Sequence, residues 1–154
     1  MIESPQILQT SSQLCALIPL TVPRSDIMSV MGPGISEVMA AVQEQGIGPA
    51  GVWFTHHLRV EPDIFDYEIC VPVRAPVKPT GRVLPGEWPS MKVIRTVYHG
   101  PYEGIGEAWG EFMAWIESQG LKTTGDLWER YLVGPEVGPD GTKYRTELNR
   151  PLAE

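Results

Sequence analysis

A glutamate and a tyrosine stand two residues apart in the segment LWERYLV, residues 127–133. Side chains alternate between the two faces of a strand, so Glu129 and Tyr131 would share one face, about 7 Å apart. Burying an unpaired carboxylate costs several kcal/mol, and a bound cation would offset that cost. The same pair could also divide acid–base work, with Glu129 activating water and Tyr131 acting as a general acid. The pair could therefore serve a cation-binding pocket or a hydrolytic site.

Ordinary structural roles remain open for these residues. Glu129 could be a rim residue paired with Arg95 or Arg145, and Tyr131 could lie at the edge of the core. Aromatic side chains stack on aromatic ligands and attract cations through their faces. Five further aromatics are candidate pocket walls, although aromatics at such positions are more often plain core: Trp53, Tyr67, Trp88, Tyr98 and Tyr102.

A repeated motif organises the chain. Residues 45–51 read QGIGPAG and residues 119–125 read QGLKTTG, and both fit QG[IL]xxxG. Each motif follows a segment whose apolar residues have helical spacing, so helices are predicted over residues 26–45 and 103–119. In the second of these helices we assign Trp109 and Phe112 to the core. Strands are predicted around the helices, over residues 14–20, 52–60, 65–73, 91–98, 127–133 and 144–152.

The order strand, helix, strand, strand therefore occurs twice. It predicts an α+β protein made of two tandem β-α-β-β modules, about residues 6–73 and 90–152, related by an approximate twofold axis. The strands should form an antiparallel sheet with one face covered by the two helices. The proline-rich segment 74–90 should connect the modules. A groove at their join is the natural ligand site.

Aligning the two motifs on their last glycines, Gly51 and Gly125, compares the halves directly. Thr55 then matches Glu129, and Trp53 matches Leu127. The halves have therefore diverged at this point, and only the second carries the acid.

Composition excludes several classes of function. The net charge is −7 and there is no run of Lys or Arg, which disfavours nucleic-acid binding by this chain alone. Cys15 and Cys70 form no CxxC motif, so free buried thiols and a cytoplasmic location are expected. No basic segment precedes a long apolar run, so we expect neither a signal peptide nor a membrane span. Adjacent His56 and His57 face opposite sides of a strand, and we expect no metal and no cofactor.

The segment VYHGPYEGIGEAWGEFMAWIESQGL, residues 97–121, resembles the GyrI-like small-molecule-binding domain. That domain is also the effector-binding part of AraC-type and MerR-type regulators. The resemblance covers nearly the whole chain and rests on motifs in a fixed order: QGIGPAG, VPV at 71–73, HGPY at 99–102, QGL, WERY at 128–131, TE at 146–147 and Pro151.

The resemblance implies the duplicated fold and the binding of small, often cationic aromatic molecules between the modules. In drug-binding members a glutamate at the position of Glu129 meets the positive charge. Some stand-alone members instead hydrolyse cyclopropane-bearing electrophiles, with residues matching Glu129 and Tyr131 implicated. Asn149 stands where many members have a tyrosine, so it is a candidate ligand contact that would alter the preferred ligand shape.

Three hypotheses follow from the sequence. The leading one is a stand-alone multidrug-type binder of amphipathic aromatic organic cations and related hydrophobic molecules. The second is a hydrolase that uses the same groove. The third is an interaction protein that inhibits a macromolecular target, with the acidic charge imitating DNA.

Overall fold

The computed structural model describes residues 1–153, apart from the side chains of Met28 and Val60. It is an α+β protein in which one antiparallel sheet carries two helices, as the sequence predicts. Its elements in chain order are β1 Gln6–Gln9, β2 Gln13–Pro23, α1 Ile27–Glu44, β3 Phe54–Val60, β4 Ile64–Pro72, β5 Leu84–Trp88, β6 Lys92–His99, α2 Ile105–Ser118, β7 Leu127–Val133 and β8 Arg145–Pro151.

The helices end where the repeated motif predicts. Gly46 after α1 and Gly120 after α2 have φ angles of +68° and +69°. This left-handed conformation suits glycine because it has no Cβ, and it terminates a helix. The repeated QG therefore marks two equivalent helix C-termini. Neither helix has the length and apolarity that a membrane crossing requires, as far as residues 1–153 are described.

The strand order is symmetric about the centre of the sheet. It runs β1-β6-β8-β7-β3-β4-β2-β5, so β7 and β3 join the two modules. In this central pair Thr55 lies opposite Glu129. These two residues also match in the repeat alignment, so the pseudo-twofold axis passes between them.

Both sheet edges differ from the sequence prediction. The segment predicted as a connector contains β5, which pairs with β2, and a further strand, β1, pairs with β6. Pro85 and Gly86 lie inside β5, and both residue types are depleted in strands. An edge strand tolerates proline because one side of its backbone needs no partner.

Two short links force the sheet to curl. Residues 10–12 connect β1 to β2 and residues 89–91 connect β5 to β6, and in both cases the two strands lie six positions apart. That separation is about 29 Å in a flat sheet, whereas four residue steps reach at most about 14 Å. The sheet therefore bends away from the helices, and this concave face encloses its own core. There the Trp88 and Trp128 rings stack with centroids 4.6 Å apart.

On the other face, each helix covers its own module. Val38 and Val42 of α1 pack against β2 and β4, while Phe112 and Ile116 of α2 pack against Ile94 and Leu148. Strands β3 and β7 lie between these two cores. A groove consequently runs over the module join.

A histidine on the concave face ties the modules together. His56 on β3 is hydrogen-bonded to Glu68 on β4 at 3.2 Å and to Asp126, just before β7, at 2.8 Å. Its ring stacks on Trp128 at a centroid distance of 3.7 Å. Burial disfavours the charged imidazole, but the bonds to Asp126 and Glu68 outweigh it and hold the pKa of His56 above its ordinary value.

We expect His56→Asn to lower the free energy of unfolding by about 1.5–3 kcal/mol at pH 6, the range for hydrogen bonds to charged groups. Because the folded-state pKa is raised, the stabilisation by charge is complete below about pH 6.5 and disappears as pH rises through the folded value. Urea unfolding of both proteins at pH 6 and pH 9 measures this. A difference that stays constant with pH would contradict a charged His56.

Candidate ligand-binding site

The groove between the helices forms a cavity of about 730 Å³. Both modules contribute to it, with α1 on one side, α2 on the other and the central strands as its floor. Most of its wall is apolar or aromatic, including Met31, Ile35, Trp53, Phe65, Tyr102, Trp109, Leu127 and Tyr131.

Glu129 lies on the cavity floor and is 8% exposed. The Tyr131 hydroxyl donates to Oε1 of Glu129 at 2.7 Å. The Trp109 indole Nε1–H, from α2, donates to Oε2 at 2.5 Å. Two neutral donors therefore fix both oxygens of a nearly buried carboxylate.

The hydrogen bonds continue across the module join. The Tyr131 and Thr55 hydroxyls are 2.8 Å apart, and Thr55 Oγ1 is 3.2 Å from Nε2 of His57. Burial lowers the pKa of His57, with His56 and Arg24 adding to the effect and Glu129 opposing it. Burial and the adjacent Glu129 raise the pKa of Tyr131 well above its ordinary value. At neutral pH the imidazole is therefore neutral and the phenol protonated.

No permanent cation compensates Glu129 among the described side chains. The nearest basic nitrogen is Nε2 of the neutral His57, 4.0 Å from Oε1. Three arginines line the cavity but bind elsewhere: Arg24 donates to the Glu61 carbonyl, Arg59 pairs with Asp66, and Arg150 donates to the Thr124 carbonyl. The cavity floor thus carries a negative charge that only neutral dipoles stabilise.

Aromatic rings surround this charge. Trp53 stacks on Tyr131 with centroids 4.0 Å apart and planes 21° apart. Tyr102 meets Tyr131 edge-on at 6.1 Å. Because Trp53 is on the first module and the other two rings on the second, the pocket exists only where the modules meet.

Comparison with known proteins agrees with this architecture. The GyrI-like small molecule binding domain matches residues 4–152. The chain belongs to this family. No curated protein sequence matches it.

Solved structures show the same fold at low sequence identity. The C-terminal domain of EcmrR is 22% identical with a TM-score of 0.84, over 98% of each chain. In a DNA complex of EcmrR, this chain spans only 57% of the EcmrR chain. SAV2435 bound to tetraphenylphosphonium is 16% identical with a TM-score of 0.71, over 98% of this chain and 94% of that one. A hydrolase from Listeria innocua is 12% identical with a TM-score of 0.66, over 97% and 91%.

Four of the predicted site residues line the cavity of this GyrI-like domain: Trp53, Tyr102, Glu129 and Tyr131. The alternative of a rim glutamate paired with Arg95 or Arg145 is wrong. Arg95 binds Glu147 on the opposite face at 3.2 Å, and Arg145 donates to the carbonyls of Thr142 and Tyr144.

The other four candidates lie outside the cavity. Tyr67 is fully buried behind His57, with its hydroxyl on Met31 Sδ at 3.4 Å. Tyr98 packs under α2 and donates to the Pro101 carbonyl at 2.8 Å. Trp88 and Asn149 lie on the concave face of the sheet, away from both helices. These positions correct the prediction that all four contact a ligand in the groove.

Sequence reasoning missed three members of the site. Trp109 was assigned to the core, but it lines the cavity and binds Glu129. Thr55 could have been predicted as a member of the site, because the repeat alignment matches it to Glu129. His57 could then have been predicted as well, because residues two apart on a strand share a face.

We expect Tyr131→Phe to lower the free energy of unfolding by about 1–3 kcal/mol, because it removes one of the two donors to a buried carboxylate. Tyr98→Phe is the matched control, since it loses a hydrogen bond to a neutral carbonyl and should cost about 1 kcal/mol. Urea unfolding measures both. An equal or smaller loss for Tyr131→Phe would show that its hydrogen bond to Glu129 stabilises the fold no more than a hydrogen bond to a neutral carbonyl does.

Proposed function

We propose that this domain binds amphipathic aromatic organic cations in the groove between its modules, with Glu129 pairing the positive charge. The supporting observation is a nearly buried Glu129 that is held by neutral donors and surrounded by aromatic rings.

Electrostatics favours such a ligand. A carboxylate inside a protein interacts with a nearby charge more strongly than in water, because the surrounding dielectric constant is lower. A bound cation recovers that interaction at Glu129, whereas a neutral ligand of the same shape does not. The faces of Trp53 and Tyr131 add attraction for a cation.

The hydrogen bonds also favour one kind of cation. Each oxygen of Glu129 already accepts one hydrogen bond, Oε1 from Tyr131 and Oε2 from Trp109. A quaternary cation has no N–H to donate, so it could use the charge of Glu129 without displacing either donor. A protonated amine would need an additional hydrogen bond to an oxygen that already accepts one. We therefore infer a preference for delocalised or quaternary cations over primary amines.

The cavity volume is compatible with this class. At about 730 Å³ it lies in the upper part of the range for small-molecule pockets. One relative of the same fold, SAV2435, is solved with tetraphenylphosphonium, an aromatic quaternary cation.

We expect Glu129→Gln to weaken binding of N-methylquinolinium by about 1.5–3 kcal/mol, the range for a charge-assisted contact. Its neutral isostere 1-methylnaphthalene should bind with little change, because the apolar walls are intact. Titration followed by tryptophan fluorescence measures both affinities.

The matched control for this charge is Glu136→Gln. Glu136 also lines the cavity, but it is exposed, so water screens its charge and the effect on the cation should be small. Equal losses for both ligands in Glu129→Gln would mean that Glu129 shapes the pocket rather than pairing with charge.

Hydrolysis of cyclopropane-bearing electrophiles is the second candidate, and the 2.7 Å contact between Tyr131 and Glu129 favours it. Glu129 would take a proton from water, and the hydroxide would form a C–O bond as the strained C–C bond breaks. The electron pair released at the other carbon would take the Tyr131 proton. Glu129 would then return its proton to Tyr131, so water adds across one ring bond.

If the domain is a hydrolase, Glu129→Gln or Tyr131→Phe should each slow turnover by ~10²-fold or more, the scale of general acid–base catalysis. The double variant should be little slower than the slower single variant, because the two residues act as a unit. Mass spectrometry of an activated cyclopropane incubated with each protein measures this, with Tyr98→Phe as the control. Saturable cation binding without any protein-dependent product would leave only the binding function.

A further inference from the structure

A second cavity, of about 330 Å³, opens on the concave face of the sheet. It is bounded by the link between β1 and β2, by residues 50–52, and by Phe54, Trp88, Arg95 and Arg130. Among the described residues it shares no lining side chain with the first cavity. The sheet separates the two.

Positive charge exceeds negative charge at its inner end. Arg130 donates to Oε1 of the buried Glu147 at 2.7 Å, and Nε of Arg95 lies 3.2 Å from the same oxygen. Asn149, also buried, donates to that oxygen at 3.1 Å and accepts from Arg95 at 2.6 Å. Two guanidinium groups therefore share one carboxylate, and one positive charge is left over.

Two tryptophans, Trp88 and Trp128, pack together on the same face of the sheet. In the described part of the chain, the indole N–H groups of Trp88 and Trp128 are buried without a partner. Leaving a buried donor unpaired costs roughly 1–3 kcal/mol. Trp88 lines the cavity, and the Arg130 guanidinium lies 5.1 Å from the centroid of its ring.

We propose that this second cavity binds a small carboxylate anion that carries a flat aromatic ring. A carboxylate matches the fork of a guanidinium, and one negative charge balances the cluster. The rings of Phe54 and Trp88 supply apolar wall for the ring of the ligand. The site is independent of the proposed cation site, which lies on the other face of the sheet.

Benzoate is the probe, and benzyl alcohol and inorganic phosphate are the comparison ligands. Titration of the ¹⁵N-labelled protein should shift the indole N–H resonance of Trp88, assigned by its loss in Trp88→Phe. We expect saturable benzoate binding, at least 10-fold tighter than that of benzyl alcohol or phosphate. Saturating tetraphenylphosphonium should leave benzoate affinity unchanged.

Arg130→Gln should weaken benzoate by at least 10-fold, and Trp88→Phe by several-fold while keeping the ring. Arg82→Gln is the control, because Arg82 is an exposed arginine paired with Glu37 outside this cavity. Circular dichroism checks the fold of each variant. If Arg130→Gln does not fold, Trp88→Phe and the ligand comparison carry the test.

Three results would overturn the proposal. The first is the absence of any shift at the Trp88 indole. The second is equal binding of benzoate and benzyl alcohol, or of benzoate and phosphate. The third is displacement of benzoate by tetraphenylphosphonium, which would place both ligands in one site.

Discussion

The pairing of β3 with β7 is the constraint on which the site depends. The offset that aligns Gly51 with Gly125 also carries Thr55 onto Glu129, and the strand register sets these two residues opposite each other. A faithful duplication would place two glutamates directly opposite each other, with Cβ atoms about 5 Å apart, where each carboxylate would oppose the ionisation of the other. Divergence at this position avoids that repulsion. The threonine hydroxyl fills the position instead and contacts Tyr131.

The hydrogen bonds around Glu129 hold its carboxylate without supplying a countercharge. An arginine beside Glu129 would neutralise the carboxylate and remove its electric field from the cavity. Tyr131 and Trp109 satisfy its oxygens without neutralising it, and burial keeps the nearby His57 uncharged. The folded protein consequently holds this carboxylate nearly buried without a countercharge, and under the proposed function a bound cation would offset the cost of that burial.

Sequence reasoning succeeded where one local rule governs the residue. Helical periodicity and the QG ends located both helices, and strand alternation placed Glu129 and Tyr131 on one face. It failed where contacts between distant parts of the chain determine the structure. β5 can form because its edge position tolerates Pro85, and Trp88 reaches Trp128, four strands away, because the sheet curls. Tyr67 does lie on the helix-covered face, but α1 and His57 cover it. Which ring is covered depends on how close each helix lies to the sheet, and no local pattern specifies that distance.

The register of β7 explains why its two adjacent charges have different fates. Glu129 and Arg130 point to opposite faces and cannot pair with each other. The cross-strand neighbours of Glu129 are Thr55 and Leu148, neither of which is charged, so its charge stays uncompensated. Arg130 lies opposite Glu147, which it binds. A shift of β8 by one residue would turn the side chain of Glu147 to the helix-covered face, since the side-chain period of a strand is two. It would also leave Arg95 and Arg130 without their shared carboxylate. The same register therefore leaves Glu129 in the groove without a countercharge. It also gives Arg95 and Arg130 on the concave face their shared carboxylate.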